Sequence, residues 1–373
     1  MLISRRQFLK YCTVTAGALG LSASDLIKLD KALALEDGVP VIWINAATCT
    51  GCSTSLLNSV YYATIQEVLL SGPPLGTLSL EYHPTVMGAD GTLATAQAAA
   101  ASLGTYVLVV EGSVQVGTPP SSNGSSTATS GDYCQVGSIN GNETAVAVID
   151  QLAQSAYAVL CVGTCAAFGG IPAADGNITG AMGLLDYFNY GSNAGTSWPT
   201  SGEYYYSAQY RSIRPKTVNI PGCPPNPNWI IGTIAYILAH LNLSNIAQSL
   251  PPLDSLRRPR MYYGERICNS CNRFLGTATG TTGSLTYQGL AGNFISNRTG
   301  DENQIGDPAL RSYCLKYIGC KGSRTKSDCS VRKWHSPGYG STGINWCVGA
   351  GAPCQGCTGN YFPDQMSPFL YIR

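Results

Sequence analysis

The stretch VPVIWINAATCTGC, residues 39–52, opens with a seven-residue apolar run and delivers Cys49 and Cys52 just beyond its end. An apolar run of this length without polar alternation is what a parallel strand buried on both faces looks like. Residues 77–82, 105–111, 157–163 and 217–220 look like further strands, and helical patterns lie at 53–70, 93–103 and 143–155. Strands alternating with helices imply right-handed crossovers and an α/β fold with a doubly wound parallel sheet. Cys165 follows the run at 157–163, and Cys223 follows the run at 217–220. Loops at the carboxyl ends of an open sheet converge on one crevice, where this architecture holds its ligand. Cys49, Cys52, Cys165 and Cys223 are thereby expected at a single site.

Eight further cysteines fall into two more groups of four. One is Cys268-Asn269-Ser270-Cys271 with Cys314 and Cys320; the other is Cys329, Cys347 and Cys354-Gln355-Gly356-Cys357. Four thiolates apiece is the ligand set of a cubane [4Fe–4S] cluster. The chain reads as a carrier of three clusters, an electron wire. Disulfides are the alternative for a cysteine-rich exported chain. The odd total of 15 cysteines and the three C-x-x-C pairs favour metal.

Charge is scarce and unevenly placed. Asp, Glu, Lys and Arg make up 12% of the chain, about half the usual share of about 25%, which suggests a surface partly covered by a partner. Between Asp37 and Asp254 acidic residues dominate; between Arg257 and His335 basic residues do. A basic segment invites a nucleic-acid reading. Here eight cysteines lie in or just beyond it, so the excess instead offsets negative clusters or steers an acidic redox partner, and no nucleic acid is expected.

Ser4-Arg5-Arg6-Gln7-Phe8-Leu9-Lys10 precedes an uncharged stretch too short for a conventional membrane helix. This resembles a twin-arginine export signal. Ala32-Leu33-Ala34 offers a cleavage site, and retention as an anchor is the alternative. That route exports folded proteins, so clusters can be inserted beforehand. The expected map is a signal segment at 1–36, a sheet domain at 37–256 and a cluster-organised domain at 257–373. Residues 117–131 are a low-complexity surface insert, and an apolar helix at 228–241 closes the sheet domain. Beyond 257 periodicity fades, so that region is expected to fold around metal more than around an apolar core.

CTGCS at 49–53, YHPTVMGADG at 82–91, EGS at 111–113, GTCAAFGG at 163–170 and PGCPPNPNW at 221–229 resemble the small subunit of [NiFe] hydrogenases. So do YGERICNSCNR at 263–273, CLKYIGCKG at 314–322 and APCQGC at 352–357, all in family order. The resemblance implies a flavodoxin-like domain followed by an irregular C-terminal domain with little regular secondary structure. It implies that Cys49, Cys52, Cys165 and Cys223 hold the proximal cluster, beside a nickel–iron centre in a separate large subunit. By the same token Cys268, Cys271, Cys314 and Cys320 hold the distal cluster, and Cys329, Cys347, Cys354 and Cys357 the medial one. Electrons from hydrogen would pass proximal, medial, distal, then to a cytochrome or another membrane redox subunit. The protein would sit in the periplasm or on the outer face of the cytoplasmic membrane. The C-terminal PCQGC lacks the context and the histidine of a nickel motif, so no catalytic residue is expected in this chain.

Three departures from the family pattern matter. Cys268 replaces the common histidine ligand, and Cys347 stands where a proline is common and the medial cluster has three irons. Both favour all-cysteine [4Fe–4S] sites of lower potential. Gly51 and Gly170 occupy the places where oxygen-tolerant members carry two extra cysteines, so an ordinary proximal cluster and inactivation under air are expected. Of the remaining cysteines, Cys12 lies in the signal, and Cys134 and Cys161 are expected as small buried hydrophobes. Glu111, at a strand end, either tunes the proximal site or a proton path, or is a satisfied surface carboxylate. Two rivals stand beside the hydrogenase reading. One is the cluster subunit of another exported oxidoreductase, such as a relative of respiratory complex I, which would lack the two C-terminal groups. The other is a disulfide-stapled surface protein.

Overall fold

The computed structural model describes residues 39–59, 78–119, 130–190, 208–242, 245–276, 314–315, 319–334 and 344–364. The signal segment, the far part of the helix expected at 53–70 and most of the low-complexity insert lie outside the described residues. The chain forms two compact units, Met1–Pro259 and Arg260–Arg373.

The first unit is built on a five-stranded parallel sheet. Its strands are β1 (Val39–Asn45), β2 (Leu78–Tyr82), β3 (Val107–Glu111), β4 (Ala158–Val162) and β5 (Thr217–Ile220). Their order is β2-β1-β3-β4-β5, parallel throughout. This is the flavodoxin-like order, whose switch point lies between β1 and β3. Every residue of β3, β4 and β5 is buried, as expected of parallel strands covered on both faces.

Helices α1 (Gly51–Leu57), α2 (Gly91–Ala101), α3 (Ala145–Ser155), α4 (Thr164–Phe168) and α5 (Pro227–Ala239) join or cover the strands. α3 shows how one sequence feature places an element. Thr144 caps it, its Oγ1 accepting from the Ala147 N–H at 3.3 Å, a contribution of about 1 kcal/mol. Its Val148, Ile149, Leu152 and Ala153 then enter the core cluster with Ile42, Ile44, Leu108 and Val110 of the sheet. Cys161 is fully buried within that cluster and Cys134 packs against it, so both behave as small hydrophobes.

Two short antiparallel pairs, Val114–Gln115 with Ala181–Met182 and Gln135–Ile139 with Asn142–Thr144, were not evident from the sequence. The unit also runs slightly past residue 256. Arg257, at φ 64°, donates from Nε to the Thr217 carbonyl at 3.0 Å and from Nη2 to the Pro215 carbonyl at 2.7 Å. Arg258 pairs with Asp254 at 2.7 Å. Arg257 thereby pins the edge strand of the sheet.

The second unit has little regular structure among its described residues: single helical turns at Arg260–Tyr263, Ile267–Ser270, Asn272–Gly276 and Cys329–Arg332. Its apolar cluster is Ile267, Cys271, Leu315, Cys320, Trp346, Val348 and Cys354. Three of those side chains are thiols, so the cysteines themselves supply much of the interior. Arg332 is buried beside them, paired with Asp328 at 2.7 Å and lying 5.0 Å over the Tyr262 ring.

Candidate iron–sulfur sites

The loops after β1, β4 and β5 are stitched into one mouth by their backbones. The Gly163 N–H donates to the Ile220 carbonyl and the Thr164 N–H to the Gly222 carbonyl, both at 3.0 Å. The Gly222 N–H returns a bond to Thr164 Oγ1 at 2.9 Å, which brings Cys165 beside Cys223. The loop after β1 turns at Thr50, left-handed at φ 58°. It is tied across the mouth by Ser55 Oγ, which donates to the Pro225 carbonyl at 2.6 Å. Gly163, at φ 94°, is where the two sides meet: a Cβ there would stand 2.5 Å from Cys52 Sγ. No residue with a side chain fits at that point.

All four expected proximal cysteines therefore meet at the carboxyl edge of the sheet. Cys52 is buried, Cys165 half-buried, and Cys49 and Cys223 exposed, so the mouth opens to the surface. Burial pushes the Cys52 thiol far up, with Glu111, Cys165, Cys49 and Cys223 adding to it. Burial, with Cys223 next, lifts Cys165 to about 12. Burial, then Cys49, raises Cys223. Cβ atoms at Gly51 and Gly170 would stand 3.1 Å from Cys49 Sγ and 2.8 Å from Cys165 Sγ. Both positions thus face sulfur.

Glu111 is fully buried, which overturns the surface-carboxylate alternative. Its Oε1 accepts from Thr48 Oγ1 at 3.0 Å, the Cys52 N–H at 3.1 Å and the Ser53 N–H at 3.2 Å. Its Oε2 accepts from Trp43 Nε1 at 3.0 Å and from Ser53 Oγ in a short bond. Gly112, at φ 91°, lets this strand end approach the β1 loop, since a Cβ there would stand 2.6 Å from the Ala47 carbonyl carbon.

His83 lies behind this group. The Thr85 N–H donates to its Nδ1 at 3.1 Å, so the neutral ring carries its proton on Nε2 and donates to Ser53 Oγ at 3.2 Å. Burial lowers its pKa to about 4, against the pull of Glu111. Ser53 and His83 lie within the quoted motifs CTGCS and YHPTVMGADG, but nothing in the sequence tied them, Trp43 or Thr48 to Glu111. The one clue was a carboxylate closing an apolar strand in VLVVEGS.

In the second unit Gly322 lies between two expected distal ligands. A Cβ on it would stand 3.3 Å from Cys268 Sγ and 3.7 Å from Cys320 Sγ. Cys271, Cys314 and Cys320 all bear on the Arg273 guanidinium, whose pKa burial lowers while those cysteines oppose. Arg273 Nε is held by the Val348 carbonyl at 2.8 Å. The expected medial set also gathers. Cys329 is pushed well up by burial first, with Cys357, Asp328 and Cys347 adding to it. Cys354 is pushed well up by burial, then Cys320, Cys357 and Cys329. The two sets touch: the Cys354 N–H donates to Cys320 Sγ at 3.3 Å, and the Lys321 N–H donates to the Cys354 carbonyl at 2.7 Å. Lys321 is itself buried, and its charge acts on Cys320 and Cys354.

These residues suit iron–sulfur clusters chemically. Every described cysteine is a free thiol, and buried thiols ionise only when cations take the place of their protons.

Comparison with known proteins places both parts of the chain in described families. The family described as NADH ubiquinone oxidoreductase, 20 Kd subunit, matches residues 49–237, a span holding Cys49, Cys52, Cys165 and Cys223. A second family, the C-terminal region of NiFe/NiFeSe hydrogenase small subunits, matches residues 294–370, which hold Cys314, Cys320, Cys329, Cys347, Cys354 and Cys357. The second match separates the chain from complex I subunits that share only the first domain. The periplasmic [NiFeSe] hydrogenase small subunit of Desulfomicrobium baculatum is 34% identical, over 99% of each chain. The periplasmic [NiFe] hydrogenase small subunit 1 of Nitratidesulfovibrio vulgaris is 31% identical, over 98% of this chain and 93% of its own. The solved recombinant [NiFeSe] hydrogenase of Desulfovibrio vulgaris Hildenborough superimposes with TM-score 0.66 at 33% identity, over 91% of this chain and 99% of that one. Among the described residues no helix is long and apolar enough to cross a membrane.

Proposed function

This chain belongs to the family of [NiFe] hydrogenase small subunits, and from that membership we propose that it is the electron-transfer subunit of an exported hydrogenase. Hydrogen is split at the nickel–iron site of a separate large subunit, and this chain carries the electrons from there to an external acceptor. The observation that carries the reading is the convergence of Cys49, Cys52, Cys165 and Cys223 at the open carboxyl edge of the sheet. Two further four-cysteine sets gather in the C-terminal unit.

Each set would hold one [4Fe–4S] cluster, proximal, distal and medial as the sequence motifs order them, and bound clusters would supply one-electron steps. The chain's own residues do the rest. The glycines at 51, 163, 170 and 322 leave room for sulfur. Glu111 fixes the Cys52 loop, and buried Lys321 and half-buried Arg273 offset thiolate charge. The exposed rim at Cys49 and Cys223 is where the large subunit would cover the proximal cluster. An all-cysteine ligand set favours low potentials, and with glycine at 51 and 170 it fits an enzyme that air inactivates. The twin-arginine leader and the periplasmic relatives support placement outside the cytoplasmic membrane, with a cytochrome or another membrane redox subunit as acceptor.

The test is anaerobic co-purification with the large subunit. About twelve irons per small subunit, matching acid-labile sulfide and hydrogen-dependent dye reduction are expected. A colourless complex with intact disulfides and no iron refutes the reading.

A further inference from the structure

Five donors converge on the Glu111 carboxylate, and two of them are amides of the first turn of α1, at Cys52 and Ser53. Amides at that position would otherwise be free to donate to the Cys52 sulfur, and N–H bonds to cluster sulfurs are one of the levers that set reduction potential. Here the carboxylate takes them. Cys52 receives a negative neighbour in their place, with Glu111 Oε1 3.1 Å from its own amide nitrogen.

We propose that Glu111 is a positioning residue that holds down the reduction potential of the cluster on Cys49, Cys52, Cys165 and Cys223, by its charge and by keeping the Cys52 and Ser53 amides away from sulfur. The inference rests on the reading that these four cysteines carry a cluster. Reduction adds negative charge at the mouth, and a fixed anion beside Cys52, sealed from solvent, opposes it with little screening. The neutral donors Trp43 and Thr48 moderate that field. Removing the charge and removing a moderator must therefore act in opposite directions, whereas a merely structural role would give no such pair of signs.

The experiment is a potentiometric EPR titration of the proximal cluster in the purified two-subunit complex, comparing wild type, Glu111→Gln and Trp43→Phe. Glu111→Gln should raise the reduced-to-oxidised ratio at a fixed ambient potential at least tenfold, about 59 mV upward for one electron. Trp43→Phe should lower it, with the other two clusters unmoved in both variants. Full iron with an unchanged midpoint in Glu111→Gln overturns the proposal, as do shifts of the same sign in the two variants. Should Glu111→Gln fail to retain iron, Trp43→Phe still decides: an upward or null shift overturns the proposal and a downward shift supports it. A wild-type complex with iron at only two stations refutes the four-cysteine reading itself, a result distinct from an unmoved midpoint.

Discussion

Replacing Gly163 by alanine puts the proximal geometry to a direct test. Gly163 sits at φ 94° and ψ 156°, a region essentially reserved for glycine, where a side chain costs about 1–3 kcal/mol. The added methyl would stand 2.5 Å from Cys52 Sγ and 3.8 Å from the Gly222 carbonyl oxygen. An ordinary contact needs about 1 Å more than the first of these. Neither side yields readily: the Gly163 N–H is bonded to Ile220 and the Cys52 N–H to Glu111. Metal–ligand distances tolerate only about 0.2 Å, so a sulfur displaced by several times that leaves its site. The strain is small beside a typical stability of about 5–15 kcal/mol, so the fold should persist. The expected outcome is loss of the proximal EPR signal, iron falling from about twelve to about eight per chain, and hydrogen-dependent dye reduction abolished with unchanged circular dichroism. Gly141→Ala is the control, since it has φ 81° and open space around its Cβ, and it should keep all its iron. Wild-type iron and activity in Gly163→Ala would refute the argument that Cys52 sulfur is held against that backbone as a ligand.

Other outcomes follow from the same structure. Cys268→His should keep the distal cluster but raise its potential, because a neutral imidazole replaces a thiolate; an unchanged midpoint in redox titration counts against the assignment. Anaerobic chelation of iron should make the chain beyond Pro259 sensitive to limited proteolysis while the parallel sheet resists, because thiols make up much of the second unit's apolar cluster. Equal resistance with and without iron would contradict this. Burial raises the Asp186 carboxyl from 3.8 to about 6, so its contribution to stability is complete below about pH 3.8 and lost as pH rises through about 6. Asp186→Asn should thus raise stability at pH 7.5 by on the order of 2–3 kcal/mol and do little at pH 4. Melting curves giving the same gain at both pH values would refute it.

Strand β5 was readable to the residue, because Val218 and Ile220 alternate with Thr217 and Asn219 and Pro221-Gly222 closes the stretch. The gathering of thiols at the sheet edge was readable for a similar local reason: the cysteines directly follow the strands in the sequence. What escaped the sequence was made by distance along the chain. Trp43, Thr48 and Ser53 meet Glu111 across 58 to 68 residues, and no periodicity links them. The start of α1 at Gly51 instead of 53 has the same origin, since a left-handed Thr50 and a remote carboxylate set where its amides begin to point. The two antiparallel pairs are too short for alternation to appear, and Arg257 and Arg258 look like a charged linker until their carbonyl and carboxylate partners are seen.

The bond from the Cys354 amide to the Cys320 sulfur bears on maintenance as well as on conduction. On the proposed cluster assignment a ligand of one C-terminal station is built into the wall of its neighbour, so losing the inorganic core at either should loosen the other. Damage there is expected to be all-or-none, and a cell would have to replace the whole protein instead of repairing one station.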